Sequence, residues 1–340
     1  MRIAQVMAGA HHGGAEAFYE RLCLSLHGAG EQVLPIIRRD AERADRLRAG
    51  GLAPVELGFG GVLDLLTGPR LRGVLRGFAP AVAVAWMNRA ARFTPKGDWT
   101  LVGRLGGYYD LKYYQRCDHL VGNTRDLVRW IVAQGWPEAR AHYVPNFAAD
   151  LAGATPAELP GTTRLLAMGR LHRNKGFDVA IRALARLPGA HLSVAGEGPD
   201  RAALESVARD AGVADRVTFL GWRSDIGALL AGADIFVCSS RHEPLGNIVL
   251  ESWSAGRPVV AAAAQGPSEL IEDGETGLLV PIDDADALAR NIAALIADPQ
   301  RAARIAQQGR AAFERDFTEA AVTARWQEFL AIVATPHKVG

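Results

Sequence analysis

Cysteine is scarce in this chain, which has three: Cys23, Cys117 and Cys238. They form no C-x-x-C pair, and an odd number cannot all be bridged. This excludes a disulfide-rich scaffold and predicts free thiols in a reducing compartment. Residues 1–7 lack the basic start and the long apolar core of a secretory signal, so we expect a cytoplasmic protein.

Excess charge and long apolar runs are also missing. The formal net charge is +1, so bulk charge gives no reason to expect nucleic-acid binding. No apolar run approaches the roughly 20 residues of a membrane-spanning helix. With 49% hydrophobic and 22% charged residues, the 340-residue chain has the composition of a soluble globular enzyme and is long enough for two domains.

Short apolar segments alternate with amphipathic helical segments along the chain. Segments such as 79–86 and 233–237 have the near-continuous hydrophobicity of strands buried on both faces. This alternation predicts an α/β fold of two doubly wound parallel sheets facing a cleft, with ligands beyond the carboxyl ends of the strands. We place the first domain at residues 1–155 and the second at 156–317.

The stretch R-H-E-P-L-G-N-I-V-L-E at 241–251 follows one of these strands and leads through a Pro- and Gly-containing turn into a helix. Free N–H groups at such a helix start point at a ligand above it, and the helix dipole favours phosphate there. The N–H groups in question are those of Gly246, Asn247 and Ile248.

Two carboxylates flank this turn. Glu243 is on the loop and Glu251 is on the first turns of the helix, so both can face one cleft. One can accept hydrogen bonds from ribose hydroxyls while the other lies beside a sugar. The alternative is a helix start with two solvated acids.

A basic loop follows the strand that ends at Met168. It carries Arg170 and Lys175 and leads into another helix. Two cations five residues apart suit a diphosphate, which arginine binds with its fork and lysine binds as a point charge. The alternative is an ordinary basic loop.

Glycines also follow the first strand, at Gly13 and Gly14. They let a backbone approach a ligand closely, although the spacing is not the G-x-G-x-x-G of a dinucleotide-binding fold. His11 and His12, in the same loop, are either polar loop residues or contacts to substrate.

These segments resemble the motifs of one enzyme family. Residues 243–251 resemble E-P-x-G-x-x-x-x-E, residues 169–178 resemble G-R-L-x-x-x-K-G-x-D, and residues 13–16 match G-G-A-E. The motifs are those of glycosyltransferase family 4, the retaining, nucleotide-sugar-dependent group 1 glycosyltransferases. The resemblance implies the GT-B fold, with two Rossmann-like domains that bind acceptor and nucleotide sugar, and a C-terminal helix at 318–334 that packs back on the first domain.

The resemblance also implies roles for the site residues. Arg170 and Lys175 would stabilise the departing diphosphate together with the helix-start amides. Glu251 would hold the ribose, and Glu243 would lie near the donor sugar. The implied reaction is retaining transfer to a hydroxyl of a glycan or glycolipid, without a metal ion or other cofactor, in bacterial lipopolysaccharide or surface-polysaccharide synthesis.

Other correspondences concern the first domain. Gly13 and Gly14 would lie against the pyrophosphate of the donor. Many relatives have histidine where this chain has Gly106, which puts a histidine-assisted role there in doubt. Phe147 replaces the last residue of the I-P-N-G that closes the first domain.

The segment from 70 to 116 is basic and aromatic. Its aromatic residues include Trp86, Trp99 and Tyr114, and it has two acids. It is either a surface that meets anionic lipid or a phosphorylated glycolipid, or a solvated basic face with ordinary core aromatics. Its cations are Arg70, Arg72, Arg76, Arg89, Arg92, Lys96, Arg104, Lys112 and Arg116.

Several alternatives stay open at the level of sequence. Asp283, Asp284 and Asp286 suggest helix capping rather than a metal site, because they precede an Ala- and Leu-rich helix. A sugar-nucleotide epimerase or a phosphorylase on a similar two-domain fold is the main alternative function. A catalytically silent binding module and a nicotinamide dehydrogenase are more distant.

Overall fold

The computed structural model describes residues 1–10, 13–60 and 64–334. Within them the chain forms two compact units. The first comprises Met1–Asn146 and the segment that begins at Glu319; the second is Phe147–Thr318. In the described residues every strand pairing is parallel, so the predicted α/β architecture with two parallel sheets is confirmed.

The strands of the described chain are short and mostly buried. In chain order they are β1 (Arg2–Met7), β2 (Gln32–Arg38), β3 (Val55–Leu57), β4 (Val82–Trp86), β5 (Thr100–Leu105), β6 (His119–Gly122), β7 (Ala141–Tyr143), β8 (Thr163–Met168), β9 (Ala190–Ala195), β10 (Val217–Gly221), β11 (Ile235–Cys238), β12 (Val259–Ala262) and β13 (Leu278–Val280).

Helices connect most of these strands. They are α1 (Gly14–Gly28), α2 (Ala41–Ala49), α3 (Thr67–Phe78), α4 (Met87–Phe93), α5 (Arg125–Ala133), α6 (Phe177–Leu184), α7 (Arg201–Asp210), α8 (Ile226–Gly232), α9 (Asn247–Ser254), α10 (Gln265–Leu270), α11 (Ala285–Ala297), α12 (Pro299–Asp316) and α13 (Glu319–Ala334). None of the helices within the described ranges has the length and hydropathy that a membrane span requires.

Both sheets reverse their strand order near the middle. In the described residues the first runs β3-β2-β1-β4-β5-β6-β7 and the second β10-β9-β8-β11-β12-β13. The chain winds away in opposite directions from β1 and β4, and likewise from β8 and β11. Such switch points leave a crevice beyond the carboxyl ends of the strands, which is where ligands bind in this class of fold.

Helix α13 packs within the first unit, as the resemblance implies. It contacts α1 and β4, and its Trp326 stacks on Trp86 with ring centroids 6.5 Å apart and planes 19° apart. The hydroxyls of Ser25 and Thr323 are 2.6 Å apart across the contact with α1. Fully buried aromatic rings therefore attach the C-terminal helix to the sheet of the first unit.

A histidine pair beside α13 makes the stability of the first unit sensitive to pH. Nδ1 of His119 and Nε2 of His142 are 3.0 Å apart, and Phe329 of α13 packs on His142. Burial, and then the neighbouring His119, lower the pKa of His142 from 6.5 to about 4. The unfolded chain therefore binds a proton that the folded chain resists, and stability is lost as the pH falls from about 6.5 to about 4.

We expect this loss to be about 1 kcal/mol, because half-exposed groups are screened, and to lower Tm by about 2–4 °C. Melting curves of wild type and His142→Phe between pH 7 and pH 4 measure it. The variant should lose less stability over this interval, and equal losses in the two proteins would contradict the assignment.

The structure divides the basic segment between core and surface. Arg104 is buried, as are Trp86, Trp99 and Tyr114, so these residues do not contribute to a basic surface, and the aromatic residues are part of the core. Arg104 lies over the ring of Trp86 at 4.7 Å and donates to Asn146 Oδ1, and burial lowers its pKa to about 10. A β-carbon on Gly106 would lie 2.8 Å from its Nη1, which is why glycine suits that position.

Candidate active site

The two predicted donor-binding loops leave from neighbouring strands at the switch point of the second unit. Strand β8 pairs with β11, with Leu165 opposite Ile235 and Leu166 opposite Phe236. Because the strands are parallel, the loop after β8 and the loop after β11 emerge at the same edge of the sheet. This adjacency brings together residues that are about 70 positions apart in the sequence.

Backbone contacts hold the two loops against each other. Ser239 Oγ donates to the carbonyl of Lys175 at 3.0 Å, and the N–H of His242 donates to the carbonyl of Asn174 at 3.1 Å. Gly176 has φ +61°, and a β-carbon there would lie 2.1 Å from the carbonyl oxygen of Ser239. Only glycine permits both this backbone conformation and the close approach of the Ser239 carbonyl. Gly176 therefore sets the position from which the Lys175 side chain leaves the loop.

At the centre of the site a lysine and two carboxylates face one another. Lys175 Nζ lies 2.5 Å from Glu243 Oε2, with side chains that are 25% and 10% exposed. Burial raises the pKa of Glu251 to about 7; the charge of Glu243 adds to the rise and Lys175 opposes it. The structure thus brings together Lys175, which the sequence placed on one loop, with Glu243 and Glu251, which it placed on a second loop and on the helix that follows it.

The start of α9 has the features of an anion site. Gly246 precedes the helix with φ +68°, and a β-carbon on it would lie 2.6 Å from Leu270 Cδ1. Within the described residues, the N–H groups of Asn247 and Ile248 have no carbonyl partner, as is usual for the first turn of a helix. Helix α9 itself begins at Asn247.

Arg170 lines a cavity together with Gly169, which lies beside the side chain of Lys175. Arg170 is exposed and has no hydrogen bond or ion pair with any residue that the structure describes. The cavity has a volume of about 430 Å³ and opens beyond the carboxyl ends of β8, β9 and β10. Besides Arg170, its lining includes Gly196, Glu197, Trp222, Ile226 and Leu229.

Sequence reasoning did not assign Ile226 and Leu229, two apolar residues that line this cavity. Ile226 and Leu229 belong to the short helix α8, whose apolar residues resemble ordinary core positions. Trp222 is 71% exposed, which leaves its ring free for a ligand. In the sequence, the available signal for Trp222 was its position directly after the glycine that ends a strand.

In the first unit, the Gly13–Gly14 turn is shaped by Glu16. The carboxylate of this buried residue accepts from the N–H of Ala10 at 2.9 Å, and a β-carbon on Gly13 would lie 2.3 Å from its Oε2. Gly14 begins α1 and has open space around it. His11 and His12 lie outside the described residues. A contact of Gly13 and Gly14 with a ligand stays a prediction.

The three aspartates after β13 have separate partners. Asp284 caps α11 by accepting from the N–H of Ala287 at 2.8 Å, as predicted. Asp286 pairs with Arg186 at 2.6 Å, and Asp283 pairs with Arg241 at 2.6 Å. No group of three His, Cys, Asp or Glu side chains with the arrangement of a metal site occurs in the ranges that the structure describes.

Comparison with known proteins identifies the family. The profile described as "Glycosyl transferases group 1" matches residues 162–298. The chain is 36% identical to the lipopolysaccharide core biosynthesis glycosyltransferase LpsE of Rhizobium meliloti, over 94% of this chain and 96% of that protein. It is also 34% identical to the lipopolysaccharide core biosynthesis glycosyltransferase LpsD of the same organism, over 95% of this chain and 96% of that protein.

A solved structure shows the same fold. Alr3699/HepE of Anabaena, crystallised in complex with UDP, has a TM-score of 0.81 and 21% identity over 98% of this chain and all of that one. At this identity the likeness establishes the GT-B fold alone. Together with relatives that match over nearly their full length, it shows that the chain belongs to the group 1 glycosyltransferases.

Proposed function

We propose that this glycosyltransferase moves a sugar, with retention of anomeric configuration, from a nucleotide diphosphate sugar to a hydroxyl of a glycan or glycolipid. The observation that carries the proposal is the meeting of Lys175, Glu243 and the start of α9 at the β8/β11 switch point. A cation, a carboxylate and free amides at one edge of a sheet suit a diphosphate joined to a polyhydroxyl group.

The diphosphate is proposed to lie against Lys175, Arg170 and the amides of Gly246, Asn247 and Ile248. As the bond to the sugar breaks, charge builds up on the diphosphate, and fixed cations and amides stabilise it without reorganising. The protein itself supplies this positive charge, so we propose that turnover needs no divalent metal. Activity in the presence of EDTA tests that part of the proposal.

In the structure, Lys175 is paired with Glu243. A diphosphate competes with Glu243 for the ammonium group, and the carboxylate then becomes available to the donor sugar. There it accepts from a sugar hydroxyl or supports positive charge at the anomeric carbon. Glu251, on the first turns of α9, is proposed to accept from the ribose hydroxyls. No residue is assigned as a general base; the departing diphosphate oxygen is proposed to take the proton of the acceptor hydroxyl as the new bond to the sugar forms.

The nucleobase is proposed to occupy the cavity beside Arg170. Its volume of about 430 Å³ accommodates a planar base, and the exposed ring of Trp222 offers a surface for stacking. The UDP complex of HepE, a protein with the same fold, supports a uridine nucleotide as the first one to test.

The acceptor is proposed to be a lipopolysaccharide core saccharide, presented at the inner face of the cytoplasmic membrane. The names of LpsE and LpsD support this assignment. The cytoplasmic location agrees with the three cysteines, which are free and buried and therefore need no oxidising compartment.

A patch on α3 and α4 supports contact with anionic lipid. Leu65 and Leu66, just before α3, are 82% and 62% exposed, and α3 packs on α4. Exposed leucines beside arginines without counter-ions match the features of a peripheral membrane surface. Five exposed arginines make no ion pair with any described residue: Arg70, Arg72, Arg76, Arg89 and Arg92.

Removing two of these charges should weaken membrane binding. Each arginine near an anionic surface contributes about 1 kcal/mol, so Arg72→Gln with Arg76→Gln should lower partition into phosphatidylglycerol-containing vesicles about 30-fold. Arg290→Gln with Arg304→Gln removes equal charge from exposed sites of the second unit and serves as the control. Vesicle flotation measures the partition; equal binding of both variants, or no preference for anionic vesicles, would contradict this patch.

The proposed reaction is tested by release of the nucleoside diphosphate. Purified protein is incubated with UDP- or GDP-sugars, with and without a truncated lipopolysaccharide core acceptor. A transferase releases the diphosphate when acceptor is added, and NMR of the product shows whether configuration is retained. An epimerase changes the sugar without acceptor, a phosphorylase requires no nucleotide, and a binding module binds the donor without releasing product.

A further inference from the structure

Three successive carbonyls of the loop that carries Lys175 are bound by the segment that leads to Glu243. The N–H of Arg241 donates to the carbonyl of Asn174 at 2.8 Å. The guanidinium of Arg241 donates to the carbonyl of Arg173 at 2.8 Å, and Ser239 binds the carbonyl of Lys175. The position of the lysine loop is thus set by residues 239–241, immediately before Glu243.

The side chain of Arg241 reaches further than the others and joins three loops. Its Nη1 and Nη2 donate to the two carboxylate oxygens of Asp178 in the first turn of α6, both at 2.8 Å. Its Nε donates to Asp283 Oδ1 after β13 at 2.6 Å. With the carbonyl of Arg173, these contacts use four of the five N–H groups of a guanidinium, so this side chain is occupied by protein groups rather than available to a diphosphate.

Asp178 has a lowered pKa and Asp283 has a left-handed backbone conformation, and both residues bind Arg241. Burial alone would raise the pKa of Asp178, but the hydrogen bonds and charge of Arg241, followed by those of Arg182, hold it below its ordinary value. Asp283 has φ +64°, a left-handed conformation that side chains other than glycine adopt at a cost and that aspartate tolerates better than most. The ion pair with Arg241 offsets that cost.

We propose that Arg241 is a positioning residue: by binding Asp178, Asp283 and the carbonyl of Arg173, it fixes the loops that carry Lys175 and Glu243 in the positions that the transfer step requires. The proposal rests on the function proposed above, since it concerns the rate of that step. Arg241 contacts no reacting group. It acts through the two loops, one on each side of the ion pair.

Arginine is required because the contacts depend on a planar fork. A lysine at the same position keeps the charge but offers a single point of attachment, and cannot bind both oxygens of Asp178 while also reaching Asp283. Arg241→Lys and Arg241→Gln should therefore behave alike. Loss of preorganisation acts on the reacting geometry, and a displacement of about 1 Å can cost about 100-fold in rate.

The expected result for both variants is a fall in kcat of about 10–100-fold, with a change in donor KM below about threefold. The matched control is Arg164→Gln. Arg164, on β8, forms a similar two-point ion pair with Asp234, and the two side chains are 38% and 35% exposed. Its side chain makes no described hydrogen bond to the loops of the site. Its loss should leave kcat per folded molecule unchanged.

A double-mutant comparison separates positioning from general structural support. If Arg241 acts through Lys175, adding Arg241→Gln to the Lys175→Ala variant should lower kcat by less than about threefold relative to Lys175→Ala alone. The group that Arg241 positions is already absent in that background. Equal factors in the two backgrounds would overturn the proposal. A return to the wild-type kcat with Arg241→Lys would overturn it as well.

A crystal structure of Arg241→Gln gives a readout that does not depend on activity. We expect Lys175 and Glu243 to lie further apart than the 4 Å limit of an ion pair, whereas Arg164→Gln should keep the wild-type distance. An intact pair in Arg241→Gln overturns the inference whatever the enzyme transfers. Absence of transfer by the wild type, with the pair broken in the variant, instead overturns the proposed function and leaves the positioning role standing.

Discussion

Replacing Lys175 with alanine is expected to lower kcat about 10²–10³-fold, the usual cost of removing one group that stabilises charge in a transition state. The ammonium is the cation nearest to Glu243, at 2.5 Å, and the proposed diphosphate lies against it. Its removal takes away stabilisation of the leaving group. It also leaves a buried carboxylate beside Glu251 without its counter-ion, which costs further stability.

The measurement is the rate of nucleoside diphosphate release at saturating donor and acceptor. Arg164→Ala is the control, because Arg164 is an ion-paired cation of the same unit, 2.6 Å from Asp234, near the start of β8 and so at the opposite end of that strand from the site. The variant must melt as a folded protein for the comparison to hold. A Lys175→Ala protein that is folded and within about threefold of the wild-type kcat would refute the role of this lysine.

The second large effect concerns pH. Burial raises the pKa of Glu251 to about 7; the negative charge of Glu243 raises it further, and the positive charge of Lys175 lowers it. In the proposed site, ribose hydroxyls would donate to the ionised carboxylate of Glu251, so kcat/KM for the donor should rise with pH and level off above an apparent pKa near 7. The titration belongs to the coupled group of Glu251, Glu243 and Lys175 rather than to one residue.

Glu251→Gln should remove this rise of kcat/KM with pH, the acidic limb of the profile. It should also lower kcat/KM about 10–100-fold, in line with the loss of one or two hydrogen bonds to a charged group. In Lys175→Ala the limb should move to higher pH, because the cation that opposes the rise is gone. Initial rates at donor concentrations far below KM, from pH 5.5 to 9, measure both effects. A Glu251→Gln profile with the wild-type limb would show that another group titrates.

The loops of the candidate site were predictable from sequence because each has its own local pattern. A strand, a turn and a helix start mark the loop of Lys175 and the loop of Glu243, and two cations on one loop suit a diphosphate. The ion pair between them was not predictable from any segment, since it depends on β8 and β11 being neighbours in the sheet. Strand order follows from long-range pairing, which local patterns do not encode.

Charged residues with distant partners were a source of error. Arg104 was counted with the basic surface, but it lies within a strand where aromatic rings and Asn146 accommodate it. Asp283 was expected to cap a helix, whereas its neighbour Asp284 does so and Asp283 binds Arg241. In both cases the partner comes from a distant part of the chain, and composition within a window cannot reveal it.

A crystal structure of the protein soaked with uridine or guanosine diphosphate tests the central claim most directly. The account predicts phosphate oxygens within hydrogen-bonding distance of Lys175 Nζ and of the N–H groups of Asn247 and Ile248, with Glu243 released from the lysine. A nucleotide bound elsewhere, or a bound diphosphate with the Lys175–Glu243 pair still closed, would contradict it.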